Sequence, residues 1–85
     1  MNLSQLFTRL SAGHLQNVSF SDMRRLARAF GFRQLRVRGS HHIFSHPAIT
    51  ELLNLQDRSG QAKPYQIRQF LQLVAANNLR MRGES

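Results

Sequence analysis

Three of the four histidines lie close together in the segment Gly39 to Pro47, which reads Gly-Ser-His-His-Ile-Phe-Ser-His-Pro and directly follows the arginine-rich stretch Arg33 to Arg38. Histidine is suited to proton transfer because its unperturbed pKa is about 6.5. Arginine binds phosphate through a planar fork of donors. Metal-free cleavage of RNA needs a base for the ribose 2′-hydroxyl, cations for the charge on the phosphate and an acid for the leaving oxygen. The segment therefore has residue types that suit a site for an RNA phosphate.

The segment is predicted to form a β-hairpin. Phe32 to Arg38 alternates as a strand does, His41 to His46 is its antiparallel partner, and Gly39-Ser40 has the composition of a two-residue type II′ loop. The register that follows pairs Arg38 with His41, Val37 with His42, Arg36 with Ile43 and Leu35 with Phe44.

Alternation along the strands sorts the side chains onto two faces. The mostly apolar face is predicted to pack against helices and carries Leu35, Val37, His42 and Phe44. The basic face is predicted to meet solvent and carries Gln34, Arg36, Arg38, His41 and Ile43.

This arrangement favours His41 as the catalytic base, because neighbouring arginines favour the neutral imidazole and also hold the phosphate. We predict Arg36 and Arg38 as RNA contacts. His42 is the less favoured catalytic candidate, since its side of the hairpin predicts a core histidine. His46, before Pro47, is predicted to be a cap or turn residue.

Other chemistries find less support in the chain. His41 and His42 point to opposite faces of a strand and no acidic ligand lies close by, so we predict no metal site and no cofactor. The four carboxylates include none in a nucleophile elbow, which argues against a Ser-His-Asp hydrolase. The five glycines are scattered, so phosphate-binding and dinucleotide-binding loops are missing.

The composition favours a polyanionic partner. Twelve Lys and Arg residues stand against four Asp and Glu residues, which gives a formal charge of +8. Eleven of the twelve basic residues are Arg, the side chain best suited to phosphates and bases. Cysteine is absent, so disulfides and thiolate chemistry are excluded. The N-terminal part contains no continuous apolar run of the kind that a signal peptide or a membrane span requires, so we expect a cytoplasmic protein.

The N-terminal part predicts an amphipathic helix that ends near Gly13, with the apolar stripe Leu3, Leu6, Phe7 and Leu10. The polar stretch Ser11 to Ser19 predicts a linker. Residues 1–18 are thus predicted as a helical extension, residues 19–79 as the main domain and residues 80–85 as a tail. The pattern leaves open whether the extension packs on its own domain or on another chain.

The main domain is predicted to contain two more helices and a third strand. Ser19 caps a helix that ends near Gly31, Glu51 to Gln56 forms the third strand, Asp57 to Lys63 forms a loop, and Pro64 begins the last helix. The solvent-facing side of that helix is predicted to carry Gln66, Arg68, Gln69 and Gln72. This order predicts an α+β fold with helices on one face of an antiparallel sheet and the other face free for a ligand.

The segment from about Phe20 to Leu79 resembles the HicA (YcfA-like) toxins of bacterial type II toxin–antitoxin systems. The resemblance lies in a helix closing in Gly31-Phe32, a basic strand, the turn Gly39-Ser40-His41-His42 with His46-Pro47 after it, and a closing helix. It implies a double-stranded-RNA-binding-domain-like α-β-β-β-α fold, mRNA cleavage by a histidine, and a HicB-type antitoxin that covers the active site. The family's essential histidine falls on His41, and its motif glycine falls on Gly39.

The chain departs from the family pattern in two places. Typical members begin near Ser21, so residues 1–18 have no family counterpart. Their last helix starts with glycine-threonine-leucine-arginine, where this chain has the segment Gly60 to Arg68.

We therefore predict an mRNA-cleaving toxin with His41 as base and Arg36, Arg38, Gly39, Ser40 and Lys63 as RNA-binding residues. Lys63 is included among the RNA-binding residues because it lies at the N-terminus of the last helix, where binding of a phosphate is favoured. A homo-oligomer or a complex with the antitoxin is compatible with the pattern. The alternative is a non-catalytic module that binds duplex RNA by its shape. A scaffolding protein that recruits a partner through the N-terminal helix is a third possibility.

Overall fold

A computed structural model describes residues 2–82 of the chain. Within these residues lie three α-helices and an antiparallel sheet with the strand order β1-β2-β3-β4. The helices are α1 (Leu3–Ser11), α2 (Phe20–Ala29) and α3 (Pro64–Ala76), and the strands are β1 (Arg33–Arg38), β2 (His41–Ser45), β3 (Leu53–Arg58) and β4 (Gln61–Ala62). The predicted α+β fold, α-β-β-β-α with an extra N-terminal helix, is confirmed, and β4 is an additional short strand.

The helices begin where local chemistry favours a start. The side chain of Asn2 accepts a hydrogen bond from the Gln5 amide at 2.8 Å, and that of Ser19 accepts one from the Asp22 amide at 3.1 Å. Pro64 is the first residue of α3, where its missing N–H removes no helical hydrogen bond. The predicted starts of α2 and α3 are therefore confirmed.

The core lies between the helices and one face of the sheet. Phe44 of β2 and Leu53 and Leu55 of β3 point into it and are fully buried. Helix α3 packs against β3, and α2 packs against β3 and β4. Because side chains alternate along a strand, the opposite face of β2 and β3 carries His41, Ile43, Asn54 and Gln56. That second face is exposed or half-buried.

The β1–β2 hairpin follows most of the predicted register. Three of the four predicted pairs are confirmed: Arg38 with His41, Val37 with His42, and Arg36 with Ile43. The fourth is wrong, because a β-bulge at Leu35 makes Gln34 the partner of Phe44. A bulge inserts one extra residue into a strand. The bulge therefore moves Gln34 from its predicted solvent-facing side to the side that carries His42.

Strand β1 is more exposed than its apolar residues suggested. Leu35 and Val37 were predicted to pack against the helices, but they are 53% and 49% exposed. The prediction is wrong because β1 is an edge strand that pairs with β2 and lies beyond the region where the helices pack. The hairpin therefore projects from the body of the molecule.

The polar segment after the third strand differs from its predicted loop. Strand β3 begins later than predicted and continues to Arg58, after which a Ser59-Gly60 turn leads into β4. Both turn residues have positive φ, +52° and +84°, as a tight hairpin requires. The Asp57 carboxylate accepts a hydrogen bond from the Gly60 amide at 2.8 Å.

Gln66 was predicted on the solvent-facing side of the last helix, but it is only 1% exposed. Its Oε1 atom accepts a hydrogen bond from the backbone amide of Gln56 at 2.7 Å. Strand β4 is too short to reach that amide, since it pairs only with Asp57 and Arg58. A buried amide needs a partner, and the side chain of Gln66 supplies it.

The N-terminal helix packs on its own domain. Leu3, Leu6 and Leu10 are buried in the same core as the sheet, and the ring centroid of Phe7 lies 4.8 Å from that of Phe30. After α3, the backbone amide of Arg82 donates to the carbonyl of Ala29. Of the predicted tail, residues 83–85 lie outside the described part of the chain. None of the helices within residues 2–82 has the length and apolar character needed to cross a membrane.

Candidate active site

The turn that carries the histidines is anchored to the sheet. Gly39 has φ +60°, as the first central residue of a type II′ turn requires. The carbonyl of Ser40 accepts a hydrogen bond from the amide of Asp57 at 2.9 Å. The two residues that follow, His41 and His42, therefore leave the turn toward opposite faces of the sheet.

His41 lies on the solvent-facing side of the hairpin with Arg36 and Arg38, as the strand pattern predicts. Its Nδ1 atom is 3.3 Å from Oδ1 and 3.2 Å from Nδ2 of Asn54. One of these atoms accepts and the other donates, so the contact is compatible with either tautomer of His41. The ring is exposed.

His42 lies half-buried on the other side, and a neighbouring side chain contacts its ring. Its Nδ1 atom is 3.2 Å from Oε1 of Gln34. When Nδ1 donates to this oxygen, Nε2 holds the lone pair. Within residues 2–82, every buried side-chain nitrogen has a hydrogen-bond partner. The Nε2 atom of His42 has no such partner among these residues, so it is not buried and is open to solvent.

The surroundings of His42 favour its neutral form. Burial lowers the pKa of His42, the positive charge of Arg24 lowers it further, and the negative charge of Asp57 acts in the opposite direction. The centroid of the imidazole lies 4.6 Å from that of the Phe20 ring, and the guanidinium carbon of Arg24 lies 5.9 Å from the centroid of the same ring. Phe20 thus lies against both an imidazole and a guanidinium.

These neighbours were not found from the sequence. The sequence pattern did not single out Arg24, and it assigned Gln34 to the opposite face of the hairpin. The side chain of Gln34 reaches His42 because the bulge changes its side. The cap residue Ser19 sets the start of α2 and so places Phe20 and Arg24 in its first turns, but their approach to β2 is a tertiary contact.

His46 is a structural residue, as its position before Pro47 predicts. It is 9% exposed, its Nε2 atom donates to the carbonyl of Phe30 at 3.0 Å, and its Nδ1 atom accepts from the amide of Ala48 at 3.0 Å. Nε2 therefore holds the end of α2, and Nδ1 holds the turn that follows β2. Within residues 2–82, no three His, Cys, Asp or Glu side chains are grouped in a way that suits a metal ion.

Lys63 lies apart from the hairpin arginines. It is the residue before α3 and follows β4, whereas Arg36 and Arg38 are on β1 at the opposite edge of the sheet. Its ammonium nitrogen lies 5.6 Å from the centroid of the Tyr65 ring. The predicted RNA contacts are thus divided between two edges.

Comparison with known families shows that this hairpin lies in a domain that other proteins also contain. A family model described as the HicA toxin of bacterial toxin–antitoxin systems matches residues 20–74, which span α2, the whole sheet and most of α3. The chain belongs to the HicA toxin family. No curated protein and no solved structure gives a significant match.

Membership in the HicA family confirms the resemblance on which the prediction drew. It makes the chain a toxin of a bacterial toxin–antitoxin system, and a toxin of this kind has an antitoxin as its partner. The matched region contains the histidines of the hairpin together with Phe20, Arg24 and Gln34, whereas α1 lies outside it.

Proposed function

We propose that this HicA-family toxin is a metal-independent endoribonuclease that cleaves mRNA with a histidine of the β1–β2 hairpin. The observation that carries the proposal is the environment of His42: an Nδ1 atom within hydrogen-bonding distance of Gln34, a solvent-open Nε2 atom and a pKa lowered by burial and by Arg24. A general base is most effective when its pKa lies near the working pH and its accepting atom reaches the substrate. The lowered pKa favours the neutral imidazole that can accept a proton, and the Nε2 atom of His42 is open to a substrate.

In the proposed step, Nε2 of His42 takes the proton of a ribose 2′-hydroxyl while the oxygen attacks the adjacent phosphorus. The bond from phosphorus to the 5′-oxygen breaks, and a proton from a general acid goes to that leaving oxygen. The products are a 2′,3′-cyclic phosphate and a 5′-hydroxyl. The guanidinium of Arg24, beside the imidazole, stabilises the negative charge that develops on the phosphate.

The sequence alone favoured His41 as the base, and the contacts within the described residues favour His42. The ring of His41 is exposed beside Asn54, whereas the ring of His42 is half-buried and contacts both Gln34 and Phe20. A base whose orientation is fixed before the substrate arrives loses less entropy on reaching the reactive geometry. His41, Arg36 and Arg38, on the solvent-facing side, contribute contacts to the RNA backbone.

The proposal includes a partner and a location. A HicB-type antitoxin binds over the hairpin and prevents access to the histidines, and the toxin acts on mRNA in the cytoplasm. The basic composition, with a formal charge of +8, suits both RNA and an acidic protein surface.

The test compares His41→Ala, His42→Ala and the control His14→Ala, which changes an exposed histidine far from the hairpin in sequence. Cleavage of purified mRNA is measured in the presence of a metal chelator, with circular dichroism to verify folding. Loss of a general base typically costs about 100- to 10,000-fold in rate. We expect that loss for His42→Ala, a decrease of less than about 10-fold for His41→Ala, and no change for His14→Ala.

Other outcomes decide between the alternatives. If His41→Ala abolishes cleavage and His42→Ala retains it, the base is the residue that the strand pattern favoured. If the wild-type chain binds RNA without cleaving it, and both variants bind equally well, the protein is a non-catalytic RNA-binding module.

A further inference from the structure

A second candidate site lies at the opposite edge of the sheet from β1. A cleft with a volume of about 540 Å³ is formed between the β3–β4 turn and the start of α3. Its lining includes Arg58, Gln61, Lys63 and Tyr65. Clefts of about 300–1,000 Å³ are of the size that binds small ligands.

Tyr65 is the unusual residue of this cleft. It is 58% exposed, whereas the phenylalanines are buried or, for Phe7, half-buried. The Nε2 atom of Gln66 donates to its hydroxyl oxygen at 3.4 Å, and Gln66 is itself buried. The ammonium of Lys63 lies 5.6 Å from the ring centroid, within the range of a cation–π contact. The ring is therefore held in place while much of it stays open to solvent.

The two cations suit a phosphate group. Arg58 and Lys63 line the cleft, and neither belongs to an ion pair among the described residues. Proteins that bind single-stranded nucleic acid combine such cations with exposed aromatic rings on which bases stack. A protein that reads only the shape of duplex RNA has no use for an exposed ring, because duplex bases are already stacked.

The cleft lies within reach of an RNA strand that is bound at the histidine hairpin. The carbonyl of Ser40 is bonded to the amide of Asp57, and Asp57 pairs with Ala62, which also lines the cleft. The distance from β2 to β4 is two strand spacings, about 10 Å. Alternation along β3 places Arg58 on the same face as Gln56, whose strand partner is His41. The solvent-facing side of the sheet thus connects the cleft with His41 and the hairpin arginines, the proposed backbone contacts, whereas the proposed base His42 leaves the turn toward the other face.

We propose that this cleft binds one unpaired nucleotide of single-stranded RNA, with its base stacked on Tyr65 and its phosphate against Arg58 and Lys63. The inference rests on the proposed function in one respect: the bound strand continues to the hairpin. It makes single-stranded RNA, rather than duplex, the substrate class of this toxin.

Tyr65 provides its own probe, because the chain has one tyrosine and no tryptophan. The probe ligand is a short oligoribonucleotide with 2′-O-methyl riboses, which lacks the attacking hydroxyl and so cannot be cleaved by the wild-type protein. We expect it to quench the tyrosine fluorescence on binding. The same strand annealed to its complement is expected to bind without that quenching, because its bases are paired.

Affinity measurements on variants complete the test. Stacking of a base on an aromatic ring is worth about 1–3 kcal/mol, so Tyr65→Ala should weaken binding of the single strand about 5- to 150-fold. Tyr65→Phe keeps the ring and should bind within about 2-fold of wild type. Lys63→Gln should remove about one phosphate contact. The slope of log affinity against log salt concentration should then become shallower by about 0.7. Leu52→Ala, at another exposed apolar residue, is the control and should change nothing.

The outcomes separate this inference from the proposed function. Unchanged tyrosine fluorescence, or an affinity that Tyr65→Ala leaves intact, overturns the cleft while the His42→Ala result still decides on cleavage. Quenching and Tyr65-dependent binding without any cleavage support the cleft and refute the nuclease. Equal loss of affinity for single strand and duplex in Tyr65→Ala also overturns the inference, because stacking on an unpaired base is then not the cause.

Discussion

Replacing Gln34 by glutamate tests the proposed base through its pH dependence. In the wild-type chain, Oε1 of Gln34 lies 3.2 Å from Nδ1 of His42, within hydrogen-bonding distance. The substitution keeps the size of the side chain and the hydrogen bond, but it places a negative charge at that distance. A carboxylate next to an imidazole favours the protonated form and raises the pKa of His42, against the lowering by burial and Arg24.

The size of the effect follows from Coulomb's law. Two unit charges 3.2 Å apart interact with about 1.3 kcal/mol in bulk water and about 5 kcal/mol at an effective dielectric constant of 20. Since Gln34 is exposed and His42 is half-buried, solvent screening favours the lower part of this range, about 1–2 kcal/mol. That energy reduces the fraction of neutral imidazole about 5- to 30-fold at a pH below the pKa.

The assay is the pH dependence of kcat/KM for cleavage of an RNA oligonucleotide. A base works only when it is neutral, so the wild-type enzyme should keep its activity to a lower pH than an unperturbed histidine allows. Gln34→Glu should move the acid limb to higher pH, so that activity falls about 5- to 30-fold on that limb and recovers at alkaline pH. Gln69→Glu makes the same change of charge on an exposed face of α3 and should leave the limb in place. An unmoved acid limb in Gln34→Glu would refute the assignment of His42 as the base.

Two predictions concern stability. Leu10→Ala should lower the free energy of unfolding by about 2–5 kcal/mol in urea titrations, because α1 is part of the core. Thr8→Ala, on the exposed side of α1, should have little effect. Equal stability of both variants would show that α1 is dispensable. His46→Ala leaves the Phe30 carbonyl and the Ala48 amide without a partner and should cost about 2–4 kcal/mol, with the activity of the folded fraction unchanged. A His46→Ala protein of normal stability and lost activity would instead make His46 catalytic.

Sequence patterns predicted the elements whose signals are local. Ser19 and Pro64 mark the starts of two helices through chemistry within one turn, and Gly39-Ser40 sets the hairpin register next to it. The prediction fails at the bulge, because the extra residue at Leu35 has no marker in the chain. It also fails at Gln66, whose burial depends on an unpaired amide of β3 that is distant in sequence.

The histidine segment and the arginines around it are properties of the sequence alone. The alternation of a β-strand already separates His41 from His42, and no knowledge of the rest of the fold is needed to see that they face opposite sides. Composition likewise indicates a polyanionic partner. These conclusions depend on covalent order and local geometry.

Only the tertiary structure distinguishes the two histidines as chemical groups. The pKa of His42 is lowered by burial and by Arg24, its ring lies against Phe20, and its Nδ1 atom meets Gln34 because the bulge has changed the side of that residue. Burial and Coulomb interactions act through space between α2, β1 and β2, and the order of residues does not encode those distances. The sequence thus identified the hairpin, and the approach of Phe20 and Arg24 from α2 decided which imidazole is half-buried beside a cation.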